Sequence, residues 1–151
     1  MIKQLNKVTE LRVSYKANLA EMPIIHGSKN SYEVLKHFFP FETIQLQEIF
    51  VVMYLNKLNR VIGVYPASIG GLDKTIVDLR LVLAVALKSL STSIILSHNH
   101  PSGSLKPSQN DIGITAKIKQ AAKLIDIEVL DHIILTTGVN RYFSFADEGL
   151  M

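Results

Sequence analysis

The stretch from His98 to Asp111, His-Asn-His-Pro-Ser-Gly-Ser-Leu-Lys-Pro-Ser-Gln-Asn-Asp, constrains this chain more than any other. It follows Ser93-Ile94-Ile95-Leu96-Ser97, which has the pattern of a short buried strand. Side chains two apart on a strand point the same way, so His98 and His100 share a face if the strand runs on that far. Pro101, Gly103 and Pro107 then impose a loop. Ser108 is placed to N-cap a helix with Asp111 in its first turn. The apolar stripe of that helix runs through Ile114, Ile118, Ala121, Ala122 and Ile125, and Asp111 falls on the same side. The fold must therefore bury a carboxylate beside a strand end that carries two histidines. An unpaired buried charge is very costly, so the carboxylate needs a partner.

Two readings fit part or all of this pattern. Ser108 and Asp111 alone can form a capping box, with Asp in place of the usual Glu or Gln. That explains neither histidine. A metal ion explains all the groups together, because two imidazoles and a carboxylate suit zinc and leave one tetrahedral position open. Structural zinc sites are mostly closed by cysteines, and the chain has none. The missing cysteine also excludes a cysteine protease and a disulfide framework. One zinc ion per chain is the expected cofactor, although other divalent metals accept such a ligand set.

The spaced string His98-x-His100-Pro101-x-Gly103-x-x-x-Pro107-Ser108-x-x-Asp111 resembles the signature of the JAB/MPN metalloprotease domain, also called JAMM. Ser97 to Gly103, with Pro107-Ser108-x-x-Asp111 and Asp131-His132-Ile133-Ile134, is similar to the bacterial RadC branch of that family. The likeness runs from about Ser31 to the C-terminus, and Glu10 to Lys16 is a weaker match to the opening segment. It implies an α/β fold, a three-layer α/β/α sandwich with a mixed sheet of the cytidine-deaminase-like kind. It also implies a zinc metallopeptidase that cuts a peptide or isopeptide bond. His98, His100 and Asp111 would be the ligands, and Ser108 would hydrogen-bond the oxyanion. The family's catalytic glutamate lies just before a buried strand, and Glu48, before the apolar run Ile49 to Leu55, is the matching position. From the residues alone Glu48 reads rather as the mark of a strand edge, and Glu42 is an equally acidic competitor; the resemblance selects Glu48.

Length and composition fit one domain over residues 1–151, with 1–30 as an N-terminal segment. The densest apolar run, Leu81 to Leu87, is too short to span a membrane. The first residues lack the apolar core of a signal peptide, so a cytoplasmic protein is expected. The net charge of +3 is mild. RadC-like proteins carry a DNA-repair name, and many have an N-terminal helix-hairpin-helix domain. The JAB-like region occupies residues 31–151, so none is expected here, and a DNA-associated role is the alternative to hydrolysis. A metal-stabilised interaction module is a third reading. Lys117, Lys119 and Lys123 read as a solvated helix face. The substrate and the oligomeric state are left open.

The remaining elements follow from periodicity and punctuation. A strand is expected over Val8 to Tyr15, and a helix over Tyr32 to Phe39 with Ser31 as N-cap. The strand Glu48 to Leu55 should turn through residues 56–59 into a partner from Arg60 to Ser68, broken at Gly70-Gly71. Val77 to Leu90 reads as a largely buried helix, with strands later at Glu128 to Leu135 and Arg141 to Phe145. His132 reads as a core histidine or as a residue that orients a ligand. His26 and His37 are expected at the surface or in packing. Ser97 should point away from His98, which argues against a serine nucleophile. Ser102 is expected to line the site, and Asn99 to support the loop.

Overall fold

The computed structural model describes residue 16 and residues 19–70 and 76–151. The strand expected at Val8 to Tyr15 lies outside the described residues. Among the described residues, five strands form one mixed sheet in the order β2-β1-β3-β4-β5. β1 (Ile49–Leu55) is flanked by β2 (Val61–Ile69) and β3 (Ser93–Asn99), both antiparallel to it. β3 runs parallel to β4 (Glu128–Leu135), and β5 (Tyr142–Ser144) closes the other edge antiparallel to β4. Every residue of β1 and β3 is buried, as suits interior strands covered on both faces.

Helices cover the two faces. α1 (Ser28–Leu35) packs Tyr32 and Leu35 on the face built from Ile49, Val51, Met53, Ile95 and Ile133. α2 (Leu79–Lys88) and α3 (Gln109–Lys123) cover the opposite face, where Val82, Ala86, Ile118 and Ala122 meet Phe50, Val52, Tyr54, Ile94 and Leu96. This is the expected three-layer α/β/α sandwich with a mixed sheet.

Several expected boundaries shift. Ser31 does not cap α1, which starts four residues earlier than expected, after Gly27. Ser31 is buried within the helix, and its hydroxyl donates back to Gly27 O at 3.1 Å. The earlier start is anchored by Ser28 Oγ, which donates to Asp147 Oδ2 at 2.5 Å. The helix then tightens into a 3-10 turn at Lys36–Phe38 before Pro40. α2 is shorter than Val77 to Leu90, because Asp78 caps it by accepting from Arg80 N at 2.9 Å. It is also less buried than its composition suggests. Only Val82 and Ala86 are fully covered, while Leu81, Leu87 and Leu90 are exposed. A helix in the outer layer of a sandwich meets the sheet along one stripe, however apolar its other sides are.

The C-terminal part is tied down through β4. Buried Asp131 accepts from Ser144 Oγ at 2.7 Å and from Ala146 N at 3.0 Å. A bulge at Leu130 pairs Ile94 with Val129 and Ile95 with Asp131. The extra residue brings both Val129 and His132 to the α3 side, although three positions separate them. Among the described residues no helix is long and apolar enough to cross a membrane.

Candidate metal centre

β3 ends at Asn99, and His100 follows directly, its N–H donating to Leu135 O at 3.1 Å. His98 is almost fully buried and His100 partly so. Gly103 takes φ 78°, a left-handed conformation that glycine adopts without strain, and its N–H closes a turn onto His100 O at 3.0 Å. The loop then brings Ser104 O to His100 Nδ1 at 2.7 Å.

α3 begins as expected, with Ser108 as N-cap. Asp111, Thr115, Ile118 and Ala122 form its buried stripe. Ile125 lies beyond the helix end and is exposed, because the chain turns there through Asp126 at φ 55°. Asp111 serves both readings at once. Its Oδ2 closes the capping box, accepting from Ser108 N and Ser108 Oγ, each at 2.7 Å. Its Oδ1 faces His98 Nε2 at 3.2 Å, while Oδ2 stands 3.3 Å from His100 Nε2. One ligand atom from each of His98, His100 and Asp111 can be chosen so that all lie within 4.8 Å of one another.

Hydrogen-bond chemistry fixes the tautomers. Thr115 Oγ1 has one proton, which it donates to Asp111 O at 2.6 Å, since a carbonyl can only accept. Thr115 Oγ1 therefore accepts from His132 Nδ1–H, also at 2.6 Å. Burial, reinforced by His98, pushes His132 well below the ordinary histidine range, so the ring is neutral and its Nε2 is bare. Nε2 then accepts from His98 Nδ1–H at 2.7 Å, which in the neutral ring leaves His98 Nε2 with a lone pair. His100 Nδ1–H donates to Ser104 O and leaves its Nε2 bare as well.

Two lone pairs thus face each other at 2.9 Å beside a carboxylate. Such a set repels itself unless a cation lies between the groups, either a proton on one ring or a metal ion. Burial pushes His100 down, but Asp111 and the Ser104 carbonyl outweigh it and raise its affinity for a proton. Burial likewise opposes the charge on Asp111, and the histidines and Ser108 overcome it, so the carboxylate stays ionised. The donor set fits a divalent cation of the zinc type.

Glu48 lies one residue before β1, where continuation of the Phe50–His98 register sets it across from His100. It is half-buried, and its charge acts on His100. Glu48 and Asp111 line one cleft of about 230 Å³, walled by Phe50, Ile76, Val77 and Ile114. Glu42 is exposed in the preceding turn and does not line this cleft. A larger hollow of about 380 Å³, beside Ile95, Asp131 and Asp147, opens on the other side of the sheet, away from His98 and His100. The polar convergence, rather than cavity size, locates the site.

Other candidates fall outside it. Ser97 is buried, and its register partners Val51 and Ile133 belong to the α1 side. Ser102 is exposed, and its Oγ accepts from Ser104 N at 3.3 Å. His26, Lys117, Lys119 and Lys123 are exposed, as is His37. Thr115 and the relay through His132 are the functional groups that sequence reasoning missed or underrated. Thr115 carried a signal, since it lies one helical turn after Asp111 and so on the same face.

A three-layer mixed-sheet domain with a His–His–Asp cluster at the end of a central strand defines a JAB-type domain with a candidate metal centre. The chain belongs to the RadC-like JAB domain family, whose profile matches residues 25–150. It is 41% identical over 133 residues to a UPF0758 protein of Flavobacterium johnsoniae, covering 88% of this chain and 56% of that protein. A UPF0758 protein of Porphyromonas gingivalis is 36% identical over 149 residues, covering 99% of this chain and 65% of the relative. One from Alkaliphilus metalliredigens is 47% identical over 105 residues, which is 70% of this chain and 44% of that protein. The chain thus spans roughly half to two thirds of the length of these curated relatives.

Proposed function

We propose that this chain is a zinc-dependent metallopeptidase or isopeptidase. The observation that carries the reading is the convergence of His98 Nε2 and His100 Nε2, 2.9 Å apart and 3.2 and 3.3 Å from Asp111, while the Nδ1 of each ring is engaged on the far side. Second partners of this kind are typical of metal-ligating histidines. His98, His100 and Asp111 would hold the ion. Zinc bound there supplies a Lewis acid that lowers the pKa of water to about 7 and polarises a carbonyl.

The chain's own groups supply the proton transfers. A Glu48 carboxylate oxygen takes a proton from the attacking water and delivers it to the leaving nitrogen. The cleft beside Glu48, with Phe50, Val77 and Ile114 on its walls, would receive the substrate. Ser108 Oγ, which donates to Asp111 Oδ2 in this structure, would redirect its proton to the developing oxyanion. Loss of such a donor typically costs 10²–10³-fold, or about 3–4 kcal/mol.

The test is cleavage of a proteome-derived peptide library by zinc-loaded protein, read by mass spectrometry. Wild type should cleave and a chelator should stop it. Glu48→Gln should keep its zinc and lose turnover. Normal turnover by Glu48→Gln removes Glu48 from the mechanism, and no cleavage by zinc-loaded wild type contradicts the peptidase reading.

A further inference from the structure

The geometry points to Asn99 as the positioning residue for Glu48. This rests on the metal-centre reading above and adds to it how the proton acceptor is held in place. Asn99 lies between His98 and His100 and points to the opposite face of the strand. It is fully buried. Its Nδ2 donates to Gln47 O at 2.8 Å and to Ile44 O at 2.7 Å, and its Oδ1 accepts from Ile49 N at 2.8 Å. The amide orientation follows from the partners, because carbonyls only accept and a backbone N–H only donates.

These bonds bracket one residue. The Gln47 carbonyl belongs to the peptide unit that enters Glu48, and the Ile49 N–H belongs to the unit that leaves it. Peptide units are planar, so holding both leaves little freedom in the two backbone torsions of Glu48. Gly70 N–H adds a bond to Glu48 O at 2.8 Å, on the same departing unit. The backbone ladder between β1 and β3 begins only at Phe50–His98, so Glu48 lies beyond it. The Asn99 side chain takes over where the ladder stops.

The consequence is that three consecutive residues at the end of β3 fix both parts of the site. His98 and His100 aim their lone pairs to one side, and Asn99 ties down the backbone of the base on the other. Catalytic groups tolerate little displacement, and about 1 Å can cost on the order of 10²-fold in rate. Only a carboxamide supplies the needed acceptor and two donors. Leucine, of similar size, supplies none, and aspartate keeps the acceptor but turns a charge toward two carbonyl oxygens.

Cobalt(II) serves as the probe, since it occupies zinc-type sites and shifts nearby NMR signals according to their distance and direction. Asn99→Leu and Asn99→Asp are compared with wild type in metal stoichiometry, the cobalt-induced shifts of Glu48, Ile112 and Thr115, and amide exchange at Ile49. Both variants are expected to bind cobalt and keep the shifts of Ile112 and Thr115, while the Glu48 side-chain shift collapses toward an average. Ile49 exchange should speed up roughly tenfold in Asn99→Leu, the effect of about one lost hydrogen bond. An unchanged Glu48 shift in both variants overturns the inference. So does loss of the fold in both, or an equal change at Thr115, because Asn99 would then be a general structural residue. If wild type takes up no cobalt, the metal reading itself fails and this inference falls with it.

Discussion

Thr115→Val tests the tautomer relay without touching a ligand. Valine keeps the shape of threonine and removes only the hydroxyl. His132 is fully buried, so its Nδ1–H loses its acceptor with no water to replace it. An unsatisfied buried donor costs about 1–3 kcal/mol. The ring can avoid that cost by moving its proton to Nε2, but Nε2 stands 2.7 Å from His98 Nδ1, which already carries a proton. Two N–H groups cannot face each other, so His98 must move its own proton to Nε2, the atom that faces Asp111 and His100. The lone pair needed by the metal is then lost. Removal of an outer partner of this kind typically lowers metal affinity 10–100-fold, roughly 1.4–2.8 kcal/mol. The two figures agree, as they should if one unsatisfied bond drives both. Zinc affinity by competition with a chromogenic chelator gives the first readout, and nitrogen-15 NMR of the imidazoles gives the tautomers. Unchanged affinity, with His98 still protonated at Nδ1, refutes the relay.

Three further outcomes follow from the same geometry. His100 binds its proton above the ordinary 6.5, so in metal-free protein that contribution is complete below 6.5 and fades as pH rises through the folded value. His132, held neutral, acts the opposite way below 6.5, so metal-free thermal stability should peak near there, and a midpoint still rising above it contradicts the assignment. Ser108→Ala removes the cap and one of the bonds that hold Asp111, and denaturation should show a loss of about 1 kcal/mol with zinc still bound. Leu90 follows the C-cap of α2 at φ 55° and is 70% exposed, so Leu90→Gly should raise stability by about 1 kcal/mol; a loss would mean that the side chain packs.

The centre was legible in the sequence because its parts are local. A strand, a proline-punctuated loop and a capped helix lie in succession, and strand and helix periodicity put His98, His100 and Asp111 on converging faces. The capping-box and metal readings looked like alternatives only because sequence cannot show that the two oxygens of Asp111 divide the work. His132 was harder to read. Its facing depends on the bulge at Leu130, and plain alternation from Val129 would turn it to the other side of the sheet. Asn99 was expected to support the metal loop, and instead it holds residues about fifty positions upstream. Strand pairing sets that contact, and nothing in the local pattern reveals it. The burial of α2 was overread because apolar composition does not say which side of a helix meets the sheet.

The most direct test of the account is the metal content of protein purified without chelator, measured by mass spectrometry beside His100→Ala. About one zinc ion per wild-type chain is expected, with the ion lost in the variant. A wild-type chain that carries no metal and takes up none when zinc is added would contradict the account at its centre.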